Sequence, residues 1–94
     1  MVATRTVHVR IEGRVQGVGY RAWTQRVATE LGLSGWVRNR TDGAVEAVFQ
    51  GEAARVAEML ARSERGPQAA AVARVVVLGE GVGVFEGFAV RETG

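Results

Sequence analysis

The segment Gly13–Arg21, GRVQGVGYR, holds three glycines and two arginines within nine residues. Consecutive backbone N–H groups in a glycine-rich loop before a helix can bind an anion, and the helix dipole adds partial positive charge there. The guanidinium of Arg21 can donate two parallel hydrogen bonds to phosphate oxygens. The segment indicates a phosphate site, although the pattern alone is equally typical of a chain turn followed by a solvated arginine.

A second polar segment, Gly35–Gly43, reads GWVRNRTDG and contains the only asparagine and the only aspartate of the chain. Asp42, directly before Gly43, is interpreted as a turn residue. Asn39 has two interpretations. It can cap backbone groups at a strand end, or it can accept a hydrogen bond from a water and hold that water in line with a bound phosphorus.

Neither segment contains a histidine, a lysine, a cysteine or a group of acids that could hold magnesium. Nothing obvious can therefore protonate a leaving group or attack covalently. A carboxylate, whose conjugate acid has a pKa of about 4, departs without such help, whereas an alkoxide does not. The site chemistry favours mixed carboxylic–phosphoric anhydrides over phosphate monoesters.

Two other phosphate motifs fit poorly. The Gly-Lys-Ser/Thr pattern of nucleoside triphosphatases is excluded because the chain has no lysine. Residues 17–22 match the weak dinucleotide pattern G-x-G-x-x-G/A, but that fold needs several parallel βα units. Here an Asp-Gly hairpin follows the first unit instead.

The elements that must position these segments follow from periodicity. Alternation predicts a strand over residues 6–12, and the four-residue spacing of apolar side chains predicts a helix over about 22–31. Later patterns predict strands over 35–40 and 44–50, a helix over about 52–65, a strand over 72–78 and a short strand within 85–91.

This order predicts an α+β fold: a ferredoxin-like two-layer sandwich, βαββαβ with an extra short C-terminal strand, and an antiparallel sheet with two helices on one face. The expected strand order is 4-1-3-2. The first two strands then run the same way, so Arg21 and Asn39 should be neighbours. Trp23 and Trp36 are interpreted as core or core-rim residues.

Length and composition set the broad class. The 94 residues are 47% hydrophobic, which predicts one packed domain over residues 1–94. No apolar stretch has the length of a signal peptide or of a membrane span of about 20 residues, so a soluble, cytoplasmic protein is expected. The chain has no cysteine and one histidine, which makes a metal site improbable. Residues 1–40 carry seven Arg against two Glu, a net charge of +5, which suits anion capture.

At GRVQGVGYR and GWVRNRTDG the sequence resembles the acylphosphatase family, and the similarity extends over nearly the whole chain. The resemblance implies hydrolysis of acyl phosphates to carboxylate and phosphate without a metal or cofactor. It implies that Arg21 and the loop amides bind phosphate and that Asn39 orients water. The loop residues so assigned are Val15, Gln16, Gly17, Val18, Gly19 and Tyr20. It further suggests a free-standing monomer that acts on a small molecule and binds neither nucleic acid nor membrane.

Two other functions remain open from the residues alone. One is a non-catalytic anion- or nucleic-acid-binding module, which the outward positions Thr6, His8, Arg10 and Glu12 weaken because they offer no aromatic pair. The other is a silent regulatory domain that binds a phosphorylated metabolite. Activity separates both from the enzyme.

Overall fold

Strands and helices follow one another in the predicted order. The computed structural model describes residues 3–94. Its elements are β1 Thr4–Arg14, α1 Tyr20–Glu30, β2 Ser34–Asn39, β3 Val45–Glu52, α2 Ala53–Ser63, β4 Ala71–Glu80 and β5 Phe88–Val90. Helix α1 begins two residues earlier than predicted, because the chain turns into the helix directly after Gly19.

The five strands form one sheet in the order β4-β1-β3-β2-β5. Strand β1 is antiparallel to β3 and β4, and β2 is antiparallel to β3, which confirms the predicted order of the first four strands. Strand β5 pairs with β2 in parallel, so the whole sheet is mixed rather than antiparallel. The reason lies in residues 81–87, where Gly81 N donates to Thr6 O and Gly83 O accepts from Gln50 Nε2. The chain thus passes the ends of β1 and β3 and enters beside β2 in the direction of β2.

One face of the sheet forms the core with both helices. The alternating residues Val7, Val9 and Ile11 of β1 are fully buried, and so are Val56 and Met59 of α2. Burying an aliphatic side chain of this size stabilises a fold by about 1.5–3 kcal/mol. Within residues 3–94, neither helix has the length and apolar character that crossing a bilayer requires.

The opposite face carries no helix, and most of its side chains in β1 and β2 are polar. Trp36 lies on this face, half-buried, with the guanidinium carbons of Arg38 and Arg91 at 5.2 and 4.8 Å from its ring centre. Its placement corrects the interpretation of Trp36 as a core or core-rim residue. Successive strand residues point to opposite faces, and Val37 takes the core side.

Candidate active site

The glycine loop, the start of α1 and the ends of β2 and β5 enclose a cavity of about 310 Å³. Strands β1 and β2 run in the same direction, so the loop after β1 and the end of β2 meet at one edge of the sheet. Arg21 and Asn39 both line the cavity, as do Val15, Gln16, Gly17, Gly19, Tyr20, Ala22, Gln25 and Val90. The structure thus brings together all the predicted site residues except Val18, which packs against the core instead.

Two glycines give the loop its shape. Gly17 and Gly19 have φ angles of 72° and 77°, in the left-handed region that other residues rarely adopt. A Cβ at either position would meet no atom within 4 Å, so backbone conformation rather than space requires glycine. Gly19 is also the N-cap of α1, and it offers no side-chain acceptor to the first N–H groups of the helix. The first turn contains no acidic residue, so the positive end of the helix dipole is not offset there.

Arg21 and Asn39 are the two residues of the cavity wall to which the sequence assigns a catalytic role. Arg21 is partly exposed and forms no ion pair with a carboxylate of residues 3–94. The Oδ1 atom of Asn39 is buried and accepts no hydrogen bond from the described residues. Leaving a buried acceptor without a hydrogen bond costs about 1–3 kcal/mol. A donor group of a bound molecule could pair with Asn39 Oδ1 and remove this cost.

Gln16 and Tyr20 take side-chain partners away from the cavity. Gln16 Nε2 donates to the carbonyl oxygens of Arg40 and Ala44, each at 2.8 Å. The Tyr20 ring is buried, and its hydroxyl donates to Ser63 O at 2.6 Å. Burial raises the pKa of Tyr20 and keeps the phenol neutral. Tyr20 therefore has only its backbone to offer an anion.

Three lining residues were not predicted: Ala22, Gln25 and Val90. Gln25 follows Arg21 by four positions on α1, so helical periodicity could have identified it. Ala22 is the next residue after Arg21, and periodicity gives no signal for it. Val90 lies in β5 opposite Val37 of β2. No sequence signal identifies it, because its place depends on the parallel pairing of β5.

Asp42 has the turn role that the sequence predicts. Its Oδ1 accepts from Ala44 N at 3.1 Å, and its Oδ2 accepts from Arg10 Nη2 at 2.7 Å. These two hydrogen bonds, the one from Arg10 foremost, lower the pKa of the exposed carboxyl. Across residues 3–94, no three His, Cys, Asp or Glu side chains lie close enough together to hold a metal ion.

Comparison with known proteins gives consistent matches over most of the chain. The family model described as Acylphosphatase matches residues 7–90, which include both polar segments. Acylphosphatase of Rhodopseudomonas palustris strain ATCC BAA-98 / CGA009 is 62% identical over 68 residues, 72% of this chain and 69% of that protein. Acylphosphatase of R. palustris strain BisB18 is 48% identical over 93 residues, 99% of this chain and 91% of that protein. The structure of an acylphosphatase from Coxiella burnetii is 37% identical, with a TM-score of 0.89 over 94% of this chain and 93% of that one.

Proposed function

The chain belongs to the acylphosphatase family and is a hydrolase of acyl phosphates, and we propose that catalysis occurs in the cavity between the glycine loop and Asn39. The substrates are small molecules in which a carboxyl group is bonded to phosphate. The amides of residues 15–20 and the guanidinium of Arg21 bind the phosphoryl oxygens. The support for this role is the left-handed glycine loop at the start of α1, together with an arginine that has no carboxylate partner in residues 3–94.

Asn39 orients the attacking water through its side-chain oxygen. Two observations carry this proposal: Asn39 lines the same cavity as Arg21, and its buried Oδ1 has no hydrogen-bond partner among the described residues. A water that donates one proton to Oδ1 can direct a lone pair at phosphorus. Such positioning lowers the barrier because the entropy of arranging the reactants is lost before the reaction begins.

The bond changes need no general acid. The water oxygen forms the new bond to phosphorus, and the bond between phosphorus and the carboxyl oxygen breaks with its electron pair. The carboxylate leaves unprotonated, since its conjugate acid has a pKa of about 4. The protons of the water stay with the phosphate product. Arg21 and the loop amides stabilise the charge on the phosphoryl oxygens in the transition state.

An assay with a chelator tests the proposed function. Purified protein should hydrolyse acetyl phosphate and benzoyl phosphate at an unchanged rate when EDTA is present, because the proposed steps use only groups of the chain. It should leave p-nitrophenyl phosphate nearly untouched, since p-nitrophenolate is a stronger base than a carboxylate and no residue of the cavity can protonate it as it leaves. Release of inorganic phosphate is the measurement. Acyl phosphate hydrolysis no faster than in buffer contradicts the proposal, and a loss of activity in EDTA contradicts its metal-free mechanism.

A further inference from the structure

We propose that the side chain of Gln16 is a positioning residue, which fixes the phosphate-binding loop relative to the strand end that carries Asn39. The inference rests on the function proposed above. The resemblance to the family assigns Gln16 only a phosphate-binding backbone amide, and this inference adds a role for its side chain.

Both donors of one amide group bridge the two halves of the cavity. Gln16 lies in the loop after β1, whereas its acceptors, Arg40 O and Ala44 O, lie 24 and 28 residues later at the two ends of the turn after Asn39. The turn is itself closed by Arg40 N, which donates to Ala44 O at 2.8 Å. The turn therefore has its own hydrogen bond, and the contacts of Gln16 fix the position of the turn relative to the loop.

The two hydrogen bonds of Gln16, which form the bridge, lie just beyond the end of the β1–β3 and β2–β3 pairing. The last residue pair between β1 and β3 is Ile11 with Val45, and the last between β2 and β3 is Asn39 with Val45. Beyond Val45 the ladder no longer sets the distance between the loop and the turn. The two hydrogen bonds of Gln16 continue that connection past the end of the ladder, next to the residue proposed to hold the water.

Loss of the bridge should therefore impair the chemical step more than phosphate binding. The phosphate contacts come from the loop and Arg21, which lie on one side of the bridge, whereas Asn39 lies on the other. A displacement of about 1 Å between reacting groups can cost about 10²-fold in rate. We expect Gln16→Met, which keeps the chain length but removes both donors, to lower kcat about 10- to 100-fold and to change the inhibition constant for inorganic phosphate by no more than about 2-fold.

A double-mutant cycle separates positioning from a general structural effect. Asn39→Ala should lower kcat about 10² to 10³-fold, as expected for loss of one preorganised polar group. In that background Gln16→Met should have almost no further effect on kcat, because no water-holding amide is left to position. Losses that multiply across the two sites would overturn the proposal.

Gln50→Met is the matched control. Gln50 Nε2 also bridges two acceptors, Thr6 Oγ1 at 2.9 Å and Gly83 O at 2.7 Å, but at the far end of the sheet from the cavity. This variant should retain the wild-type kcat. An equal loss of kcat in Gln50→Met and Gln16→Met would show a general effect and overturn the positioning role.

The outcomes separate this inference from the proposed function. If Asn39→Ala keeps full activity, the proposed mechanism fails. If Asn39→Ala is impaired while folded Gln16→Met turns over like wild type, only the positioning role fails. If Gln16→Met does not fold, Gln16→Asn decides by the same comparison of kcat with phosphate inhibition. Its side chain is neutral but one methylene too short to reach both carbonyl acceptors, so kcat must fall while phosphate inhibition stays nearly unchanged.

Discussion

Arg21 is the only arginine that lines the cavity within the described part of the chain, and the proposed mechanism gives its charge to the phosphoryl group. Arg21→Met should lower kcat/KM on the order of 10³-fold or more, as arginines that clamp transferring phosphoryl groups do. Steady-state hydrolysis of acetyl phosphate measures the effect. Arg26→Met is the control, because Arg26 is exposed on the same helix and lies outside the cavity. A similar loss in both variants would point to net charge rather than to a specific contact.

Whether a site residue could be predicted from the sequence depends on its type and on its sequence neighbours. The places of Arg21 and Asn39 in the cavity wall could be predicted because Arg21 directly follows the glycine loop and Asn39 is the only asparagine of the chain. The side-chain contacts of Gln16 could not, because its acceptors are backbone carbonyls, which every residue has. Trp36 was wrongly placed because its size suggests burial, whereas the alternation of β2 puts it on the open face.

At the scale of elements, chirality and the hairpin predicted most of the sheet. The right-handed crossover through α1 and the turn at Asp42 leave β3 between β1 and β2, as found. The pairing of β5 could not be predicted in the same way. It depends on the path of residues 81–87, where the glycines permit many conformations and the fixing contacts come from distant residues.

The junction of loop and helix gives a prediction at this scale. Gly19→Ala should destabilise the protein by about 1–2 kcal/mol, because alanine is strained at a φ of 77°. It should also raise the inhibition constant for phosphate, since relief of the strain turns the loop amides away from the anion. Gly32→Ala is the matched control: Gly32 has a φ of 71°, has equally open space, and follows the other end of α1. Urea denaturation should show similar losses for both, but phosphate binding should weaken only in Gly19→Ala. Weaker phosphate binding in both would contradict the local role of the loop.

At the scale of the molecule, the two faces of the sheet make different kinds of contact. One face builds the core, and the other links β1, β2 and β3 through Glu46. Its carboxylate accepts from Arg38 Nε at 2.8 Å, contacts His8 Nε2 at 2.5 Å and lies 3.4 Å from Arg40 Nη1. Part of the basic excess of residues 1–40 is therefore neutralised on the open face, whereas Arg21, in the cavity wall, forms no ion pair within residues 3–94. The prediction that residues 1–94 act as one monomeric, cytoplasmic domain stays a prediction.

Glu46 should make the stability of the whole fold depend on acid. Burial by itself raises the pKa of this carboxyl, but the hydrogen bonds from Arg38 and His8 outweigh burial and hold the pKa below its ordinary value of 4.5. At a pH above that value the ionised group stabilises the folded chain. As the pH falls below it, the unfolded chain takes up the proton first, and the stabilisation is lost as the pH passes through the lower folded value. Glu46→Gln should therefore lose about 1 kcal/mol at neutral pH, and its free energy of unfolding should fall less steeply in acid than that of the wild type.

Urea denaturation across this pH range measures both effects, with Glu58→Gln as the control. Glu58 also pairs with an arginine, Arg62, but the pair is exposed and lies within one helix. Such surface pairs contribute less than about 1 kcal/mol, so the control should differ little from the wild type at neutral pH. Parallel pH profiles for Glu46→Gln and the wild type would show that the open-face cluster does not couple folding to protonation. A convergence of the two profiles in acid would place that coupling at Glu46, because protonation then removes from the wild type the charge that the variant already lacks.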